Sequence, residues 1–408
     1  MCDYIYVKPI FIWPSIVILI IFIIELLIPK VASFGYSPHI CLACSLSWLA
    51  ITYLSFPKYY ARTKIFFLLL SYITLVTIPL LSGHNVIANR YASMSLVILG
   101  SVIYDYYYTT GNLKLLLKIL FISLLSTIIT MFYTYNELLS NPYICRSIKT
   151  SGEYTQSVLS RGVGGYSFIY YTSALCVPVI FLAFKSHSKN RRIFFSFFFI
   201  ILLFFILKSN YTTAFITAII SSSIYTIHLL TENRKKILIR FIVLTGVIIS
   251  LLTLFDIFKS NIISYIPPRI AEVLVSQNDK SIFLSVIDEF LLDRWPLMEE
   301  SFYSFTQHPI LGLLGGSFSD FDNKIVDISQ HSFILDTLAL YGIGSIIIIV
   351  YSLSQPFLNP RKSEKYINIA MLFCMFTIYV CNNASDSIAF VLMIVFPAAK
   401  DAIYHKYL

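Results

Sequence analysis

The run IFIWPSIVILIIFIIELLI, Ile10 to Ile28, decides the class of this chain. A helix of about 19 largely apolar residues crosses the hydrocarbon core of a bilayer. The h-region of a secretory signal is shorter, about 7–15 residues, and is followed by a small-residue cleavage site. Here Pro29-Lys30 follows instead, so the run reads as an uncleaved first membrane helix. Comparable runs recur at roughly 39–56, 65–81, 91–108, 115–135, 166–184, 193–207, 211–230, 237–258, 332–351, 367–382 and 387–399. The total is about 12 spans by a window of roughly 19 residues. The seventh is short and ends at Lys208-Ser209-Asn210, so spans seven and eight read as a tight hairpin broken there.

Composition agrees. The chain has 408 residues, 57% hydrophobic and 12% charged, where a soluble domain carries about 25% charged residues. The apolar runs are continuous rather than alternating, which excludes a β-barrel. Phe (34) and Tyr (29) are abundant, as aromatic belts at both interfaces require. The net charge of +9 reflects topology and not a nucleic-acid partner, because the basic residues sit in alternate short loops. Lys58, Arg62 and Lys64 follow span two, and Lys114 and Lys118 follow span four. Lys185, Lys189, Arg191 and Arg192 follow span six, Arg234, Lys235 and Lys236 span eight, and Arg361, Lys362 and Lys365 span ten. These even-numbered loops and both termini are therefore expected to be cytoplasmic. Two long loops then face outward, Asn136–Gly165 and Lys259–Gln330. The domain plan is 1–258 for spans one to nine, 259–330 for the large outer loop, and 331–408 for spans ten to twelve.

The large loop has local pattern. Pro267-Pro268 precedes an amphipathic run from Arg269 to Val275, and Ser285 to Leu292 reads as helix. Pro296 suits the first turn of a helix running to Phe305, and His308-Pro309 ends it. Gly312, Gly315 and Gly316 permit tight turns. Short helices lying over the membrane surface are expected.

Outward-facing arginines oppose the positive-inside bias and invite a chemical reason. Arg161 lies in Ser160-Arg161-Gly162-Val163-Gly164-Gly165, just before span six, where glycine amides and a helix N-terminus suit an anion. Arg294, before Trp295-Pro296, carries a planar fork suited to a diphosphate, with Glu299 and Glu300 as rival partners. Arg269 stands at the membrane edge, while Arg90 and Lys208 read as snorkelling cations. His331 opens span ten, where an imidazole can accept a proton near neutral pH. Asp336 lies five residues on, some way round the helix, so the two are not expected to pair. Asp320-Phe321-Asp322 has the carboxylate spacing of a metal-diphosphate motif, but such tripeptides are common by chance. Glu25, Asp105, Asp256 and His228 sit near span ends where water reaches. Cys41 and Cys44 read as core packing inside a helix. No disulfide framework is expected from the 7 cysteines.

Arg294-Trp295, then Pro309-Ile310-Leu311-Gly312, then His331-Ser332 through Tyr341-Gly342-Ile343-Gly344 resemble the O-antigen polymerase and O-antigen ligase superfamily. The order of these motifs and the late large loop carry the resemblance. Ser332 stands where Asn is usual, and Ser209-Asn210 stands where many relatives carry a Ser-Arg pair. The resemblance implies a GT-C-like scaffold that needs no metal or other cofactor. It implies an undecaprenyl-diphosphate-linked glycan as donor and another as acceptor, joined en bloc at the outer face of the bacterial inner membrane, with a chain-length regulator as a further partner. In that reaction Arg161, Arg269 and Arg294 are the expected diphosphate-binding residues and His331 the catalytic base. Two alternatives stay open: a ligase using lipid A core as acceptor, and a lipid-linked oligosaccharide flippase. Against transport, the two halves show no repeat and the cations lie in loops.

Overall fold

The computed structural model describes residues 9–33, 37–82, 85–112, 114–148, 153–231, 295–296, 298–313, 318–319, 325–326, 331–357, 364–382 and 385–404. Span nine, most of the large loop, Arg269, Arg294, Asp256 and the Asp320–Asp322 tripeptide lie outside them. The helices in the first half are α1 (Pro9–Leu27), α2 (Pro29–Ala32), α3 (Ser37–Ser55), α4 (Pro57–Tyr60), α5 (Thr63–Ser82) and α6 (Asn85–Thr109). There follow α7 (Lys114–Ser140), α8 (Ile144–Ser147), α9 (Glu153–Ser160), α10 (Tyr166–Lys185), α11 (Lys189–Lys208) and α12 (Thr212–Thr231). After α13 (residues 298–307) comes a minimal antiparallel pair, β1 (Phe318–Ser319) with β2 (Ile325–Val326). The chain closes with α14 (Phe333–Tyr341), α15 (Ile343–Ser354), α16 (Lys365–Cys381), α17 (Ser385–Phe390) and α18 (Phe396–Tyr404).

Four described helices are long and apolar enough to cross a membrane: Leu115–Ser140, Tyr166–Lys185, Lys189–Lys208 and Thr212–Leu229. Shorter apolar helices run through Phe11–Leu27, Ile40–Ser55, Thr63–Thr74, Ile343–Phe357 and Lys365–Cys381. The break expected after the seventh run is present. α11 and α12 form a hairpin that turns at Asn210, which adopts φ 63°, a conformation Asn tolerates better than most residues.

α10 is the centre of the bundle. Every side chain from Phe168 to Ala183 is buried, because α11, α12, α16, α17 and α18 pack around it. Apolar residues on all sides of one helix are what such a position needs. The last strip is equally enclosed: a π-helical turn, Val391–Val395, joins α17 to α18 and is buried throughout. Gly100 of α6 makes room for it, since a Cβ there would stand 3.0 Å from Met393 Cβ.

The expected tenth span, 332–351, is not one helix. Gly342 takes φ 69° and divides it into α14 and α15, ending the first helix where an L side chain would be strained. The apolar residues on both sides of Gly342 hide this break in a hydropathy reading.

Described residues of the basic loops are tied to neighbouring helix ends at one end of the bundle. Lys64 Nζ lies 2.7 Å from Asp105 Oδ1 and donates to Gln355 Oε1 at 2.5 Å, joining the starts and ends of α5, α6 and α15. Lys400 Nζ donates to Pro356 O at 3.1 Å and pairs with Glu364 at 3.3 Å. His187 reaches Ile403 O at 3.4 Å, and Lys118 stands 3.9 Å over the Trp13 ring. Asp105 thus belongs to an ion pair that ties helices together. His228 stacks on Tyr366 at 3.5 Å, which sets α12 antiparallel to α16. Asn210 and Asn382 therefore share the opposite end.

Candidate functional site

That opposite end carries His331. Its helix, α14, starts there because Ser332 is a good N-cap: the Leu335 amide donates to Ser332 Oγ at 3.3 Å. The Phe333 amide donates to Asn382 O at 3.1 Å, and the Phe333 ring meets Tyr379 at 4.6 Å. The N-terminus of α14 is thus fastened to the C-terminus of α16. His331, one residue before the cap, is exposed while its neighbour Ser332 is fully buried. The result is an exposed histidine beside a firmly anchored helix start.

α13 braces α14 from the side. Met298, Ser301 and Ser304 are buried at a spacing of three and form its inner face. Ser301 Oγ donates to Asp336 Oδ1 at 2.6 Å. Asp336 is buried in the packing between the two helices. Ser301→Ala removes the donor to a buried carboxylate and is expected to cost about 1.5–3 kcal/mol. A lowered melting temperature in detergent would register it; an unchanged one would show that the bond carries no weight.

The turn after α13 locks into the break in α14–α15. His308-Pro309 ends α13, and Gly312, at φ 66°, reverses the chain. The Ile343 amide donates to Pro309 O at 2.9 Å, and the Leu313 amide to Ala339 O at 2.8 Å. The two glycines make this approach possible. A Cβ on Gly312 would lie 2.4 Å from the Leu340 carbonyl carbon, and one on Gly342 would lie 2.1 Å from Ile310 O. Gly344, by contrast, has open space beside it. The Pro-x-x-Gly turn and the Tyr-Gly-Ile-Gly corner are thus two halves of one clasp.

Arg161 stands at the same end, through a chain of contacts. Asn210 Nδ2 donates to Pro142 O at 3.4 Å, and the Tyr211 hydroxyl to Cys145 O at 3.1 Å, bringing α8 to the α11–α12 turn. Arg161 Nη1 pairs with Glu137 Oε2 near the end of α7 at 3.2 Å, with 47% of the arginine side chain still exposed. The glycine segment beside it serves packing. The Gly164 amide donates to Thr134 Oγ1 at 2.7 Å and that of Gly162 to Leu159 O at 2.8 Å, so neither is offered to an anion. What Arg161 brings is its half-exposed guanidinium. Among the described residues no contact joins it to His331.

Arg269 and Arg294 lie outside the described residues, as does the side chain of Arg90. Lys208 lies 5.8 Å from the Phe204 ring centre, and Glu25 is buried in α1. Among the described residues, Cys41, Cys44, Cys145, Cys176, Cys374 and Cys381 form no disulfide. Burial pushes the Cys145 thiol up to about 12, so it stays protonated at neutral pH.

One residue escaped the sequence reading. Arg146, on α8, places its guanidinium 5.1 Å from the Tyr211 ring centre, beside the Asn210 turn. The signal was available: Arg146 is another arginine in the outward loop 136–165, and the argument applied to Arg161 covers it equally.

Fold and site together define a helical membrane protein with a basic end and, opposite it, a histidine, two arginines and a clasped loop. No protein-family model matches the chain, and no curated protein matches its sequence.

Proposed function

We propose that the chain joins undecaprenyl-diphosphate-linked oligosaccharides into polysaccharide at the outer face of the bacterial inner membrane. In this reading the bundle has about 12 spans of GT-C-like arrangement, the basic end and both termini face the cytoplasm, and 259–330 is the periplasmic loop. An acceptor hydroxyl attacks the anomeric carbon of the donor, and the lipid diphosphate leaves. His331 takes the hydroxyl proton. Arg161, Arg269 and Arg294 neutralise the charge that grows on the leaving diphosphate; a single such contact typically contributes about 3–4 kcal/mol.

The observation that supports the reading most is the exposed His331 on a fixed helix end, at the end of the bundle remote from the basic loops. Arg146 strengthens it. The resemblance leaves Asn210 where an arginine is usual, and Arg146 arrives from α8 at that same corner. The test is gel analysis of surface glycan from deleted and complemented cells. Polymerase loss leaves single repeat units on the lipid core, and complementation restores the ladder. Loss of every repeat unit would select the ligase, with lipid A core as acceptor. Purified protein that moves labelled lipid across vesicles without joining sugars would select the flippase.

A further inference from the structure

The clasp carries two side chains that the glycan reading does not use. Ile310 and Leu311 sit at the tip of the Pro309–Gly312 turn, 74% and 62% exposed. They are side by side with a stripe on α15 made of Ile343, Ile347 and Val350, which are 59%, 70% and 59% exposed. The hydrogen bond from the Ile343 amide to Pro309 O joins the two surfaces. Neither 309–313 nor 343–354 contains a charged residue. We propose that this turn is re-entrant: Ile310 and Leu311 insert into the bilayer hydrocarbon, and lipid acyl chains cover them.

Depth supports the assignment. α15 has 12 residues, a rise of about 18 Å. Its far end, Gln355, is held at the basic end by Lys64. Hydrocarbon is about 30 Å thick, so the start of α15 stops roughly 12 Å short of the opposite face. The turn is bonded to that start and shares its depth. Non-helical backbone survives at such depth only where protein covers it and its polar groups are paired. Gly312 and Gly342 are buried, the Gly312 amide donates to His308 O at 2.9 Å, and Pro309 has no amide hydrogen to satisfy. The clasp thus buries both glycines and pairs the Gly312 and Leu313 amides and the Pro309 carbonyl, while its apolar tip faces outward.

The inference needs the membrane location and not the glycan chemistry. It is tested by Ile310→Trp and, separately, Leu311→Trp in the full chain, reconstituted into phosphatidylcholine vesicles. The signal is the added tryptophan emission over the unmodified protein. We expect dibrominated phosphatidylcholine to quench that increment at least twofold and aqueous acrylamide to leave it nearly unchanged. Quenching by acrylamide would overturn the proposal, because the turn would then stand in water. Quenching by neither would overturn it too, because a second copy or another part of the chain would then cover the tip. Either variant alone suffices if the other fails to fold.

Discussion

Gly342→Ala unfastens the loop from the bundle: we expect the melting temperature in detergent to fall by about 5 °C, while Gly344→Ala leaves it in place. Two separate costs act at position 342. An alanine at φ 69° costs on the order of 1–3 kcal/mol in backbone strain. The new Cβ would also stand 2.1 Å from Ile310 O, and the atom it meets is backbone that cannot rotate aside. Relief requires the 309–312 turn to move off, which breaks the Ile343–Pro309 and Leu313–Ala339 hydrogen bonds together. Gly312→Ala should behave alike, since its Cβ would meet the Leu340–Tyr341 peptide at 2.4 Å. Combining the two should add little, because each opens the same clasp. Gly344 tests the reasoning: it is also a glycine in the first turn of α15, yet nothing lies within 4 Å of its missing Cβ. Equal melting temperatures for Gly342→Ala and Gly344→Ala would refute the clasp.

His331→Ala should have the opposite profile. The side chain is exposed, and Ser332 keeps its capping bond to Leu335, so melting temperature and membrane yield should not change. Polymer formation should drop by about 10²–10⁴-fold, the usual contribution of a positioned general base. Surface glycan from cells carrying the variant would show single units in place of a ladder. A normal ladder would remove His331 from the mechanism. A lost ladder with a lost fold would count as damage to the mount rather than to the chemistry.

Helix positions were legible because lipid imposes one demand, a long apolar run, and local sequence answers it. α10 was expected at 166–184 and is found at Tyr166–Lys185. α13 was expected to end at His308-Pro309, and does, because proline restricts the residue before it. Departures came where distant segments decide. The break at Gly342 depends on the distant turn at Gly312, which packs against it. Glycine alone inside an apolar run does not announce such a partner. Arg161 was legible as an outward arginine. Its pairing with Glu137 depends on how α7 extends past the expected span to Ser140. The glycine segment 162–165 was read as an anion cradle, because exposed amides and buried ones are written with the same letters.

The enclosure of α10 bears on how the protein is made. The chain delivers this helix to the bilayer well before α16, α17 and α18, which wall off much of its circumference. Until they arrive, lipid tails occupy those sides, and apolar side chains lose little by the exchange. Helix association in a bilayer rests on close fit rather than on escape from water. Translation of the final segment is therefore the event that turns a string of inserted helices into an assembled bundle. A ribosome that stops after α15 would leave an inserted product whose central helix still faces lipid on those sides.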